Sequence, residues 1–126
     1  MSAVTVNQKL WLGDDGAYTS SGRLSWMKHT TLTTGATAMD FAINSSVKVT
    51  PDADATYTTT VPPAGATRTL IFLTNGTTSR TITFGAGFKS TGTLATGITS
   101  ARVFVVQWIS DGTNLYEAGR TAAMVA

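Results

Sequence analysis

A chain of 126 residues makes one domain and is too short for two ordinary ones. It contains no Cys and a single His, which excludes a disulfide framework, a thiolate nucleophile or metal site, and any cluster of paired histidine ligands. Charged residues are only 13% and the net charge is +2, with the nine bases scattered and never in a run, so no nucleic-acid footprint is legible.

Thr fills the gap left by charge, at 25 positions, with Ser, Ala and Gly behind it. Thr favours strands and Gly favours turns, so composition alone argues for an all-β protein. The longest apolar run falls far below the ~20 residues that span a bilayer, so no membrane partner is expected. Met1–Leu10 lacks the basic start and apolar core of a secretory leader. The expectation is a soluble chain that begins where the sequence begins.

Residues 1–26 differ in character from the rest of the chain. Val4, Val6 and the knot Leu10-Trp11-Leu12 suit a first strand, and the turn-rich GDDGAYTSSG after them holds no period. Tyr18, Leu24 and Trp26 are then spaced by small residues. Two readings fit: an extended arm that drops Leu10, Trp11, Leu12, Tyr18, Leu24 and Trp26 into a neighbour's pockets, or a first strand and loop folded over the domain's own end.

Residues 27–126 read as the domain. Met27–Leu32 is a plausible strand broken by Gly35, and a short helix over Ala36–Ala42 is disfavoured by Thr37 and by its length. Phe41–Thr50 alternates, with Phe41, Ile43, Ser45, Val47 and Val49 on one face, which predicts a half-buried strand. Thr56–Val61 is short, polar and stopped by Pro62-Pro63, which predicts an edge strand or a strand end. Thr67–Thr74 and Arg80–Phe84 flank Asn75-Gly76, a pattern that predicts a hairpin. Phe88-Lys89-Ser90 and Leu94 suggest a short further element.

Val103–Ile109 is the densest β-branched and aromatic run, and Asp111-Gly112 turns it toward Leu115-Tyr116, which predicts a second hairpin. Strand alternation separates Phe104, Val106 and Trp108, read as core, from Val103 and Val105, read as facing a subunit interface. Such a strand should be covered on both sides, by the domain's own core on one and by a second sheet or a neighbouring chain on the other. The uncharged tail with Met124 and Val125 should dock on something. About seven to nine short strands with regular turn signals predict a single-domain β-sandwich, the jelly roll being one topology among several.

No catalytic or cofactor chemistry emerges, and the protein is not expected to be an enzyme. His29 lies between Lys28 and Thr30 and reads as a strand-surface residue. Asp14-Asp15-Gly16 and Asp52-Ala53-Asp54 are the only acidic clusters; each is turn chemistry, and neither matches the spacing of a Ca²⁺ loop. No Gly-x-Ser-x-Gly elbow supports a serine triad. Trp11, Trp26, Trp108, Tyr18, Tyr57 and Tyr116 could offer sugar-stacking rings, though such residues more often anchor cores and interfaces.

Thr67–Met124, with its NGTTSRTITFG, F-K-S-T-G-T-L and SDGTNLYE-x-x-R-T motifs, resembles a segment of tailed-bacteriophage virion proteins. Small chains of that kind without a collagen-like or coiled-coil shaft resemble capsid decoration (cement) proteins. The resemblance implies a virion location on the outer capsid surface, the major capsid protein as partner, a homo-oligomer with a trimer favoured, and no cofactor. A receptor- or glycan-binding tail-fibre tip is the other function it implies. Residues 1–26 match nothing in that family.

Overall fold

The structure is a computed structural model and describes residues 28–126. The expected arm over 1–26, with Leu10, Trp11, Leu12, Tyr18, Leu24 and Trp26, lies outside the described residues. Among those described there are only strands: β1 (His29–Thr31), β2 (Ala38–Asp40), β3 (Ser46–Val49), β4 (Ala55–Thr60), β5 (Thr67–Leu73), β6 (Thr81–Phe84), β7 (Phe88–Lys89), β8 (Leu94–Ala95), β9 (Arg102–Ser110), β10 (Leu115–Arg120) and β11 (Met124–Val125). They form two sheets. The larger runs β1-β3-β5-β9-β10-β7 with β11 also beside β9, and the smaller runs β2-β4-β6-β8.

From β1 to β9 the chain changes sheet after every strand. β1, β3 and β5 pair in parallel, and so do β2, β4 and β6. The first six strands therefore make three stacked coils, each contributing one strand to each sheet. Antiparallel strands then close the stack: β8 returns along β6, β9 along β5, and β10 along β9. The all-β, two-sheet expectation holds at that level. The pairing differs from the antiparallel order of a jelly roll. Successive coils lengthen, since Ser46 sits opposite His29 but Thr69 opposite Ser46, and Thr58 opposite Ala38 but Ile82 opposite Ala55. Unequal coils leave no fixed period in the sequence.

Several local expectations are corrected. Thr67–Thr74 and Arg80–Phe84 are strands, but β5 and β6 lie in different sheets and do not form a hairpin. Phe41–Ile43 is a turn, not the start of a strand. The Asp40 carboxylate accepts the Ala42 N–H at 3.1 Å, and its carbonyl accepts the Asn44 backbone N–H at 3.1 Å and side-chain amide at 2.8 Å. This Asx turn drives Phe41 into the core and leaves Ile43 53% exposed. β4 does stop before the two prolines, yet it sits between β2 and β6 rather than at an edge. Pro62 is buried, and its carbonyl accepts the Ser110 hydroxyl at 2.7 Å, fixing the arch to the end of β9. The segment disfavoured as a helix contains β2.

One core lies between the sheets, built from Met39, Phe41, Val47, Val49, Tyr57, Leu70, Phe72, Ile82, Phe88, Leu94, Phe104, Val106, Trp108 and Leu115. β6 crosses to β7 through Gly85-Ala86-Gly87, which presses on β4: Gly85 N–H donates to the Tyr57 carbonyl at 2.7 Å and Thr59 N–H to the Ala86 carbonyl at 3.0 Å. A Cβ on Gly87 would stand 2.4 Å from the Thr59 carbonyl oxygen, and its φ is +91°. Gly87→Ala should therefore cost about 2–4 kcal/mol, combining overlap with left-handed strain. Gly119→Ala, which meets nothing within 4 Å, should stay within about 0.5 kcal/mol of the parent. Urea unfolding of the two variants measures the contrast, and equal costs would refute it.

Candidate interaction surface

β9 organises the surface as well as the core. Phe104, Val106 and Trp108 point between the sheets and are 8%, 0% and 1% exposed, as alternation requires. Val103 and Val105 project from the outer face and are half-buried, while Gln107 and Ile109 there are exposed. Among the described residues no second sheet covers that face.

Register extends the face across three strands. Leu73 stands opposite Val103 and Ile71 opposite Val105 on β5, and Met124 stands opposite Val103 from the other side. Ile71, Leu73, Val103, Val105 and Met124 thus form one apolar patch, with Met124 41% exposed. The tail does dock, through β11 on β9, with Ala126 N–H donating to the Ala101 carbonyl at 2.9 Å. Val125 stands opposite Arg102, projects away from the patch and is 79% exposed. Of the interface candidates, the fold brings Val103, Val105 and Met124 together and sends Val125 elsewhere. Ile71 and Leu73 were not legible, because pairing β5 with β6 hid their position beside β9.

A polar row bounds the patch. The Thr69 hydroxyl donates to Gln107 Oε1 at 3.1 Å, and His29 Nδ1 lies 2.6 Å from the Ser46 hydroxyl in the same row. His29 is exposed on its strand, the strand-surface position expected. Beyond the row, Ile109 and Tyr116 face each other, 46% and 42% exposed. Of the described tryptophan and tyrosine rings, Trp108 and Tyr57 are core, the commoner of the two roles expected, and Tyr116 is at the surface. Among the described residues no three His, Asp or Glu side chains come together as a metal site, and no helix is long and apolar enough to cross a membrane. Asp54 is used locally, its carboxylate accepting the Thr81 N–H at 2.8 Å.

The end of the core beside β10 is sealed by charge. A bulge between Glu117 and Gly119 shifts strand parity, so Glu117 and Arg120 both turn inward. Arg120 holds Glu117 in a two-point pair, Nε to Oε2 at 2.6 Å and Nη2 to Oε1 at 2.7 Å. It also donates to the carbonyls of Thr93 and Gly92, at 3.0 and 2.9 Å, and its guanidinium carbon lies 5.7 Å from the Phe84 ring centre. Thr91 donates its N–H and hydroxyl to Glu117 Oε1. The pair pins the β7–β8 loop to β10. The Arg120 hydrogen bonds, with those from Thr91, hold the Glu117 carboxyl below its ordinary range, and Glu117 in turn raises Arg120.

A lowered Glu117 means stability that is complete above the ordinary glutamate pKa of about 4.3 and is lost as pH falls through the lowered folded value. Glu117→Gln should flatten that acid limb of the unfolding free energy, measured by urea titration across mildly to strongly acidic pH. Arg120→Ala, which strands a carboxylate whose side chain is 3% exposed, should cost about 2–3 kcal/mol at neutral pH. An unchanged acid limb in Glu117→Gln would show that other carboxylates set it.

Compared with known proteins, the chain matches no protein family, no curated protein and no solved structure.

Proposed function

We propose that this is a structural protein of a tailed-phage virion, bound to the outside of the capsid shell, where it strengthens contacts between major capsid subunits. The observation that carries the reading is the apolar patch at Ile71, Leu73, Val103, Val105 and Met124 on the outer face of the larger sheet. Its support is twofold. The patch lies within Thr67–Met124, the stretch that resembles phage virion proteins, and it is built on the longest strand of the fold. In place of a jelly-roll-like sandwich, we read the fold as a short coil stack capped by the β9–β10 hairpin.

In this reading the patch joins copies of the chain into a trimer, and residues 1–26 select the major capsid protein. Each apolar contact is worth roughly 25 cal/mol per Å² before the costs of association. Repetition around a shell then adds modest contacts through multivalency. Neither role calls for a cofactor or nucleic acid.

Val103→Glu combined with Leu73→Glu should leave the circular-dichroism signature of a folded β protein and reduce the oligomer to monomer in analytical ultracentrifugation. Deleting residues 1–26 should abolish co-sedimentation with shells while the domain stays folded. Full shell occupancy by both variants would sink the reading. The other function, a fibre tip that binds host receptors or glycans, would be supported instead by specific binding on a glycan array and to host cells.

A further inference from the structure

We propose that Asn75 is a site of spontaneous covalent modification, losing its side-chain amide through a cyclic imide formed with Gly76. This does not depend on the function proposed above. The connection from β5 to β6 leaves a firm anchor: Thr74 N–H donates to the Arg102 carbonyl at 2.8 Å, its hydroxyl to the Thr99 carbonyl at 3.2 Å, and Arg102 N–H to that hydroxyl at 2.8 Å. Immediately after it, Asn75, Gly76, Thr77 and Thr78 are all exposed. No hydrogen bond within the described residues holds the Gly76 N–H or the Asn75 amide. The space where a Gly76 side chain would stand is open to 4 Å. Nucleophile and electrophile are adjacent, unshielded and unpaired.

The other candidates among the described residues are restrained. Asn44 is 4% exposed, its amide donates to the Asp40 carbonyl at 2.8 Å and its oxygen accepts the Thr30 hydroxyl at 2.6 Å. The N–H that would attack it, on Ser45, is tied to the Lys28 carbonyl at 2.7 Å. After Asn114 comes Leu115, which is fully buried and whose N–H is tied to the Gly87 carbonyl at 2.8 Å. Asp111-Gly112 could form the same ring, but the Gly112 N–H is bound to the Ser110 hydroxyl at 2.9 Å and the Asp111 carboxylate is held by Thr113 and Asn114 N–H groups, both at 2.8 Å. Thus the fold leaves one of these four sites free to react.

The chemistry balances without a co-reactant other than water. The Gly76 nitrogen, giving up its proton to solvent base, bonds to Asn75 Cγ. The Cγ–Nδ2 bond breaks and ammonia leaves. Water then opens the ring at either carbonyl, giving aspartate or isoaspartate at position 75. Each event places a carboxylate in the turn between the sheets and lowers the formal net charge of +2 by one. In a repeated assembly the event would accumulate as an acidic, age-dependent mark.

The test is incubation of the folded full-length chain at neutral and mildly alkaline pH, followed by peptide mapping and detection of isoaspartate. Asn75 should convert roughly tenfold faster or more than Asn44 and Asn114, the ratio given by about 1.4 kcal/mol in barrier. Unfolding in urea should speed Asn44 and Asn114 and change Asn75 little. On isoelectric focusing the aged species should run with the Asn75→Asp protein, and Asn75→Gln should not form it. Conversion at Asn75 no faster than at Asn44 or Asn114, or an acidic isoform that persists in Asn75→Gln, would overturn the proposal.

Discussion

Everything in this fold converges on three rings. Trp108 of β9 packs against Phe84 of β6 and Phe88 of β7, with centroids 5.1 and 4.6 Å apart, and the two phenylalanines meet each other at 5.6 Å. Such aromatic contacts contribute about 0.5–1.5 kcal/mol each beyond the area they bury. Phe72 and Tyr57 extend the chain of rings into the stack, and Phe41 reaches Phe88 from the turn after β2. Phe84 belongs to one sheet and Phe88 to the other, only four residues on. Both can reach Trp108 because the turn between them lies flat on β4, and only glycine at 85 and 87 allows that approach. The sheets are held together where the chain crosses most tightly.

Around this centre, charge and apolar surface take complementary places. Arg120 lies over Phe84 and, with Glu117, closes the polar end of the core against water. The guanidinium serves as a lid, its four hydrogen bonds shared between one loop and one carboxylate. On the opposite face of β9 no such seal occurs among the described residues, and Val103 and Val105 meet the neighbouring Leu73, Ile71 and Met124 side by side. One strand thus divides the packed core from the apolar outer patch.

The sequence was a good guide to what neighbours decide and a poor one to what distant pairing decides. Alternation along Val103–Ile109 assigned Phe104, Val106 and Trp108 to the interior because strand parity is local. Asn75-Gly76 marked the break after β5, where the chain bends at Gly76–Thr77, but a break says nothing of which sheet the next strand joins. The exposed stretch after Thr74 is long enough to cross. Ile43 followed the apolar period on paper, and was displaced by Asp40, whose carboxylate competes for the backbone locally. Glu117 and Arg120 have opposite parity in a regular strand, so their pairing was hidden by the bulge at Ala118. The Ala-Gly pair between them was the available signal. The outer patch was half legible: β9 supplied its valines, and only register could add β5.

The coil stack is also asymmetric, and that shapes how the chain comes apart. At the β9–β10 end, long antiparallel strands and the ring cluster bind residues far apart in sequence. At the other end, β1 and β2 are three residues each, and among the described residues each pairs along one side only. Coils that touch only their neighbours lose stability one interface at a time. Among the described residues the first coil is therefore held by the fewest contacts, so amide exchange should slow in steps from it toward Trp108. Folding in the reverse sense would start at the β9–β10 hairpin and add the coils that precede it in the sequence.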